Sequence, residues 1–157
     1  MIGFGYDLHR LEEGNTLILG GITIESDKGT VAHSDGDVLI HSLVDAILGA
    51  AGLDDIGTYF PETDMKYKNY DSTKFLEAVE DLLANNGFYI VNIDIAIIVE
   101  KPMLSSYKPE IRANLASLLK IPVEHISVKA KTNEQQDAIG QRKAIAVYSV
   151  CQLEKRA

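Results

Sequence analysis

Apolar residues recur at helical spacing in three stretches of the chain and alternate with polar residues in several others. Phe75, Leu76, Val79, Leu82 and Leu83 lie three and four apart, which predicts an amphipathic helix opening at Asp71 or Ser72 and ending at Asn86-Gly87. A second periodic stretch follows Ser34-Asp35-Gly36-Asp37 and reaches Ala51, with Gly52 suited to its end. Ser34 with Asp37 three residues on has the form of a capping box. Pro109 fits the first turn of a third helix, with Ile111, Leu115, Leu118 and Leu119 on one side and Pro122 closing the region. Period-two alternation marks the strands. In Phe88–Val99, Ile93, Ile95, Ile97 and Val99 share one face, and Asn92, Asp94 and Ala96 the other. Ile126, Val128, Ala130 and Thr132 alternate with Ser127, Lys129 and Lys131, and Ala144–Leu153 reads as the last strand. Leu17–Leu19 and Ile22–Ile24 flank Gly20-Gly21, the pattern of a tight hairpin.

Strands and helices do not alternate regularly, and neither a G-x-G-x-x-G nor a Walker A sequence is present. The expected fold is therefore α+β: a mixed β-sheet with helices packed on one face. The 157 residues fit a single domain, 1–157, with one core. At 46% apolar and 24% charged residues the chain is neither disordered nor collagen-like. No apolar run approaches the roughly 20 residues of a membrane span. The opening MIGFGYDLHR lacks a signal-peptide pattern, so a cytoplasmic location is expected. Cys151 is the only cysteine, which excludes a disulfide within the chain; its apolar surroundings suggest a buried structural thiol. The net charge of −8 argues against nucleic-acid binding, but local cations can still hold a small phosphorylated ligand.

Candidate chemistry begins with Asp7 and His9. Two residues apart on a strand, they point to the same side. A carboxylate and an imidazole suit a borderline divalent metal, although an Asp–His pair at a surface satisfies the same pattern. His41, inside the second periodic stretch, would complete an Asp-His₂ set with one position open, the arrangement of a catalytic zinc; a packed or exposed histidine is the plainer reading. Asp37 or Asp45 would then support an imidazole N–H. Around Ala32-His33-Ser34-Asp35-Gly36-Asp37, free backbone N–H groups with His33 and Ser34 could bind a phosphoryl oxygen, while helix capping alone accounts for Ser34 and leaves His33 unexplained. The acidic loop Asp54–Asp64 could meet sugar hydroxyls or be a solvated loop. In Lys129–Glu134, Thr132 offers a hydroxyl and Glu134 an oxygen ligand for a hard cation such as Mg²⁺, unless this is an ordinary charged strand end. His125 reads as a loop or surface residue.

Taken together, Gly5-Tyr-Asp-Leu-His9, Leu19-Gly-Gly-Ile22, Ala32-His-Ser-Asp-Gly-Asp37 with His41, Asp55-Ile-Gly57, Phe60-Pro-Glu-Thr-Asp64 and Val128-Lys-Ala-Lys-Thr-Asn-Glu134 resemble the 2-C-methyl-D-erythritol 2,4-cyclodiphosphate synthases. The resemblance spans nearly the whole chain and rests on the order and spacing of all six motifs. It implies a homotrimer with sites between subunits, and intramolecular cyclisation of 4-diphosphocytidyl-2-C-methyl-D-erythritol 2-phosphate with loss of CMP. It implies Zn²⁺, or another divalent metal, on Asp7, His9 and His41, with a substrate phosphate oxygen in the open position. A second cation, Mg²⁺ or Mn²⁺, is implied at the diphosphate with help from Glu134. Asp7 and His9 thereby also stand among the residues touching substrate. Asp55, Ile56, Gly57, Phe60, Glu62, Thr63 and Asp64 are implied around the methylerythritol. Val99, Met103, Leu104, Ser105, Lys131, Thr132 and Asn133 are implied around the cytidine diphosphate of a neighbouring subunit. His33, Ser34 and Thr132 are implied to orient phosphates, with His33 and Thr132 supporting the transition state.

One segment departs from the resemblance. Many members carry Gly-Phe-Thr-Gly-Arg-Gly-Glu-Gly where this chain reads Asp137-Ala-Ile-Gly-Gln-Arg-Lys-Ala144. The usual arginine position is Gln141, with Arg142 and Lys143 as neighbouring substitutes, which puts an anion site on the trimer axis in doubt. Asn133 replaces a frequent threonine. Two other classes use the same residues: a metal-dependent phosphohydrolase activating water, and a trimeric metal- or isoprenoid-diphosphate-binding protein without turnover.

Overall fold

The computed structural model describes residues 1–157. In chain order its elements are β1 (Ile2–Glu13), β2 (Leu17–Leu19), β3 (Ile22–Ile24), β4 (Lys28–Thr30), α1 (Val38–Ala50), α2 (Ile56–Tyr59), α3 (Thr73–Asn85), β5 (Phe88–Ile98), α4 (Lys108–Leu119), β6 (Ile126–Lys131), α5 (Asp137–Gly140) and β7 (Ala144–Lys155). Short 3₁₀ turns occupy Met65–Tyr67 and Val123–His125. Five strands make one sheet in the order β4-β1-β7-β5-β6. β5 and β6 run parallel and the other neighbours antiparallel, so the sheet is mixed as expected. β2 and β3 form the separate hairpin that Gly20-Gly21 indicates.

The core follows from the apolar patterns. Ile93, Ile95 and Ile97 of β5 are buried, as are Ile126 and Val128 of β6 and Ile145 and Val147 of β7. α3 presents Phe75, Leu76, Val79 and Leu83, and α4 presents Ile111, Leu115 and Leu119. α1 is buried on nearly every side, with Leu39, Leu43, Ile47 and Leu48 fully enclosed. It lies on β1 and β7 with α3 and β2 over it, and each such side chain contributes about 1.5–3 kcal/mol on leaving water.

Two glycines set the depth of α1. Gly3 and Gly5 face it from β1, and a Cβ on Gly5 would overlap the Ser42 carbonyl oxygen, one on Gly3 that of Ala46. Backbone therefore meets backbone, and the helix rests directly on the strand.

Two expectations change. The N-cap of α1 is Asp37, which accepts from Ile40 N, not Ser34 as a capping box would have it. The Asp37 carboxylate also takes the N–H groups of Gly20 and Gly21, because the β2–β3 turn abuts the helix start. Its two oxygens satisfy three backbone donors at once, which a serine hydroxyl cannot do. Second, the helices do not all lie on one face. The three long ones do, but α5, within the departing 137–144 segment, covers the opposite face by packing Ile139 on Ala144 and Ala146, with Ile98 beside them. β4 and α2, for which the sequence sets no expectation, are too short to leave a periodic trace in it.

The rest of that opposite face is open. Ile2, Phe4, Tyr6 and Leu8 of β1 and Tyr148 and Val150 of β7 are exposed, Phe4 at 62%, and Tyr6 and Tyr148 pair across the ladder with ring centroids 5.0 Å apart.

Candidate active site

Asp7 and His9 follow Gly3 and Gly5 on the same side of β1, so they too face α1. His41 sits in the first turn of that helix. The close seating that the glycines permit brings the three side chains together. Asp7 Oδ2 is 3.1 Å from His9 Nδ1 and 3.3 Å from His41 Nδ1. One ligand atom from each residue lies within 4.8 Å of the others. Asp7 Oδ2 and His9 Nδ1 are buried with no hydrogen-bond partner. Orphaned polar atoms that converge on one point fit a shared cation, and a carboxylate with two imidazoles is a donor set for zinc-like metals. Burial opposes the charge on Asp7, but the His41 and His9 imidazoles outweigh it and hold its pKa down at about 2. Burial likewise acts to lower that of His41, and the Asp7 carboxylate overcomes it and raises it.

Neither Asp37 nor Asp45 supports an imidazole. Asp37 is spent on backbone donors, and Asp45 accepts from Ile56 N at 2.7 Å. His41 Nε2 meets two hydroxyls instead, Ser72 Oγ at 3.0 Å and Ser34 Oγ at 3.1 Å. Ser72 carried no signal in the sequence beyond its place at a helix start.

Beside the cluster lies a pocket of about 140 Å³ lined by His33, Ser34, His41, Ile56, Gly57, Phe60, Glu62, Tyr67 and Phe75. His33 Nε2 is a buried, unpaired polar atom there. Phe60, Tyr67, Tyr70 and Phe75 stack into an aromatic wall, with Phe60 and Phe75 centroids 4.5 Å apart. The tyrosines were not among the sequence candidates. Asp55 caps α2, accepting from Thr58 N and Oγ1, and Asp64 caps the Met65–Tyr67 turn and pairs with Lys66. Thr63 is exposed, and neither it nor these two carboxylates lines the pocket.

The remaining candidates gather elsewhere. Val99, Met103, Leu104, Ser105, Lys131 and Thr132 line a second pocket of about 120 Å³. Beyond it the chain turns through left-handed residues at Glu134 and Gln135, and Glu100 holds that turn by accepting from Asn133 N and Gln135 N. The Glu134 side chain is exposed. The two groups do not meet within one chain. Register places Leu8 opposite Ala146, Ala146 opposite Ile98 and Ile98 opposite Lys131. The metal cluster and the second pocket thus share one transverse row of the sheet but stand three strand spacings, about 14 Å, apart.

Other expectations resolve simply. Cys151 is fully buried, and burial pushes its thiol up to about 12. His125 is exposed and remote from the cluster. Arg142 pairs with Asp27, so its guanidinium is not a free replacement for the missing arginine, while Lys143 is exposed. No helix is long and apolar enough to cross a membrane.

An α+β chain whose helix-on-strand contact assembles a carboxylate and two imidazoles beside a pocket defines a candidate metalloenzyme. The chain belongs to the YgbB family, whose model matches residues 1–154. It is 48% identical over 152 residues to the 2-C-methyl-D-erythritol 2,4-cyclodiphosphate synthase of Clostridium kluyveri, covering 97% of this chain and 93% of that one. The bifunctional IspDF from Campylobacter jejuni superposes with a TM-score of 0.95 at 43% identity, over 99% of this chain and 42% of that one. A CDP complex of IspF from Plasmodium falciparum gives 0.87 at 38% identity, over 99% and 96%. The protein is accordingly an enzyme of the lyase class and a synthase of the non-mevalonate isoprenoid pathway.

Proposed function

We propose that residues 1–157 act as one domain that converts 4-diphosphocytidyl-2-C-methyl-D-erythritol 2-phosphate to 2-C-methyl-D-erythritol 2,4-cyclodiphosphate and CMP. The observation that carries this reading is the convergence of Asp7, His9 and His41, with Asp7 Oδ2 and His9 Nδ1 left without hydrogen-bond partners, beside the pocket of His33 and Ser34, in a chain of this family. The 2-phosphate oxygen forms a bond to the β-phosphorus, and the bond from that phosphorus to the oxygen bridging it to the α-phosphate breaks, releasing CMP. The nucleophile is already anionic at neutral pH, so no strong protein base is required. Folding the substrate so that its own phosphate attacks lowers the barrier by as much as about 7–11 kcal/mol in favourable cases. Zinc on Asp7, His9 and His41, with Mg²⁺ or Mn²⁺ at the Glu134 carboxylate, would supply Lewis acidity and relieve repulsion between phosphates.

The chain's own groups do the positioning. His33 Nε2 and Ser34 Oγ orient phosphoryl oxygens at the pocket wall. Ile56, Gly57, Phe60 and Glu62 contact the methylerythritol, with Asp55, Thr63 and Asp64 at the outer rim. Thr132, Lys131 and Asn133 hold the cytidine diphosphate against Val99, Met103, Leu104 and Ser105. A relative solved with CDP supports a cytidine diphosphate in that role.

This reading requires a second copy of the chain. One copy carries the metal cluster near one side of its sheet and the nucleotide pocket on the other, about 14 Å away. Adjacent copies in a homotrimer would join the two halves, and the open face with Ile2, Phe4, Tyr6, Leu8, Tyr148 and Val150 supplies an apolar surface to bury. The test is incubation with substrate and Mg²⁺, with and without a zinc chelator, followed by ³¹P NMR. A cyclic diphosphate with stoichiometric CMP, lost on chelation, is expected. An open-chain hydrolysis product would make the protein a phosphohydrolase, and absence of turnover in a zinc-loaded oligomer would make it a binding protein.

A further inference from the structure

We infer that Asp35 and Ser72 form a hydrogen-bond relay that fixes the tautomer and orientation of His41 for metal binding. The inference rests on the metal reading above and adds two residues to it. His41 turns Nδ1 toward Asp7 and His9, so Nε2 carries the proton when Nδ1 serves as ligand. Two hydroxyls lie within reach of Nε2, and their surroundings differ. Ser72 is fully buried, and its own proton goes to Asp35 Oδ1. Its lone pairs are thereby left to accept from His41 Nε2 at 3.0 Å. Asp35 cannot turn away, because its Oδ2 accepts from Ser72 N at 2.9 Å and its Oδ1 from Asp37 N at 3.1 Å. The protons run in one direction: imidazole N–H to serine oxygen, serine O–H to carboxylate. A carboxylate at the end of such a chain makes the ring a better donor to metal, as a direct carboxylate–histidine contact does.

The placement of Ser72 is the independent sign. It occupies the N-cap of α3, where a serine oxygen ordinarily accepts from a backbone N–H of the first turn. Here its backbone is already helical, its side chain makes no cap bond, and Asp71 Oδ1 takes the Thr73 N–H at 2.9 Å in its place. The Ser72 hydroxyl, not needed for capping, faces the histidine and Asp35 instead. Ser34 offers less: it is half-buried, lines the pocket and, apart from the ring, meets only Gly36 N in a long bond at 3.4 Å. We assign it to substrate and Ser72 to the ring.

The experiment compares the full-length wild type with Ser72→Ala, Asp35→Asn, the double variant and Ser34→Ala. Zinc affinity is read by chelator competition, and the His41 ring proton by NMR of ¹⁵N-histidine-labelled, zinc-loaded protein. Ser72→Ala and Asp35→Asn should each weaken zinc by about 10–100-fold, with the double variant no worse than the weaker single one. Ser34→Ala should lose far less. The His41 Nε2–H signal should exchange slowly with water in wild type and rapidly in Ser72→Ala, and Ser72→Thr, which restores the hydroxyl, should recover both readouts. A folded Ser72→Ala with wild-type zinc affinity and an unchanged ring signal overturns the relay. If Ser72→Ala does not fold, Asp35→Asn decides by the same criteria. A wild type that binds no zinc overturns the metal centre, and the relay with it.

Discussion

Gly5→Ala should damage the metal centre without altering any ligand. The added Cβ would fall well inside contact distance of the Ser42 carbonyl oxygen, which belongs to the backbone and cannot rotate aside. Restoring an ordinary separation of about 3.5 Å requires α1 to move off β1 by more than about 1 Å. Overpacking of this kind costs about 1–3 kcal/mol, which for a chain of this size lowers the melting temperature by roughly 2–12 °C. The ligands feel the same displacement, because Asp7 and His9 stay with the strand while His41 moves with the helix. Metal–ligand distances tolerate only about 0.2 Å, so zinc affinity should fall by at least about tenfold. Gly49→Ala is the control. It lies on the same helix, its Cβ would meet only Gly3 Cα at 3.9 Å, and it should stabilise the helix by about 0.5–1 kcal/mol with zinc binding intact. Differential scanning calorimetry of the metal-free proteins and chelator competition measure both quantities. A Gly5→Ala protein that melts with the wild type and keeps its zinc affinity would refute the argument that backbone contact at Gly5 sets the site.

Three further outcomes are expected. His41→Ala should abolish stoichiometric zinc, measured by mass spectrometry of the metal, while the oligomer survives on size exclusion; retained zinc would exclude His41 as a ligand. Phe4→Asp or Tyr148→Asp should shift sedimentation to the monomer and abolish cyclisation, since each places a charge on the open apolar face; an intact oligomer would move the interface elsewhere. Cys151, fully buried and with its thiol pushed up to about 12, should resist maleimide at pH 8 until guanidinium unfolds the chain. Rapid labelling of the native protein would contradict the enclosed position.

Much of this was legible in the residues because simple periodicities carried it. Ile93, Ile95 and Ile97 alternate because one face of β5 meets helices, and Phe75, Leu76, Val79 and Leu83 recur because α3 has one covered side. Asp7 and His9 share a side of a strand by geometry alone. What escaped depends on contacts between distant segments. Asp37 displaced Ser34 as the cap because the hairpin turn at Gly20-Gly21 delivers two extra donors to it. Ser72 stands 31 residues from His41, and nothing local distinguishes it from an ordinary helix cap. Asp45 failed as support for the ring because α2, too short to foresee, takes its oxygen. The 137–144 segment was recognisable as unusual, but its packing on the far face of the sheet follows from Ile139 alone, a single apolar residue with no period.

The cluster draws its ligands from two different elements, Asp7 and His9 from β1 and His41 from α1. A cation held there is therefore a cross-link between strand and helix as well as a source of charge. Folding and metal loading become thermodynamically linked: at a free metal concentration a thousand times its dissociation constant, the folded state gains about 4 kcal/mol. Stripping the metal would then withdraw a clasp from the best-buried helix, and a chelator would act on the endurance of the chain as much as on its chemistry.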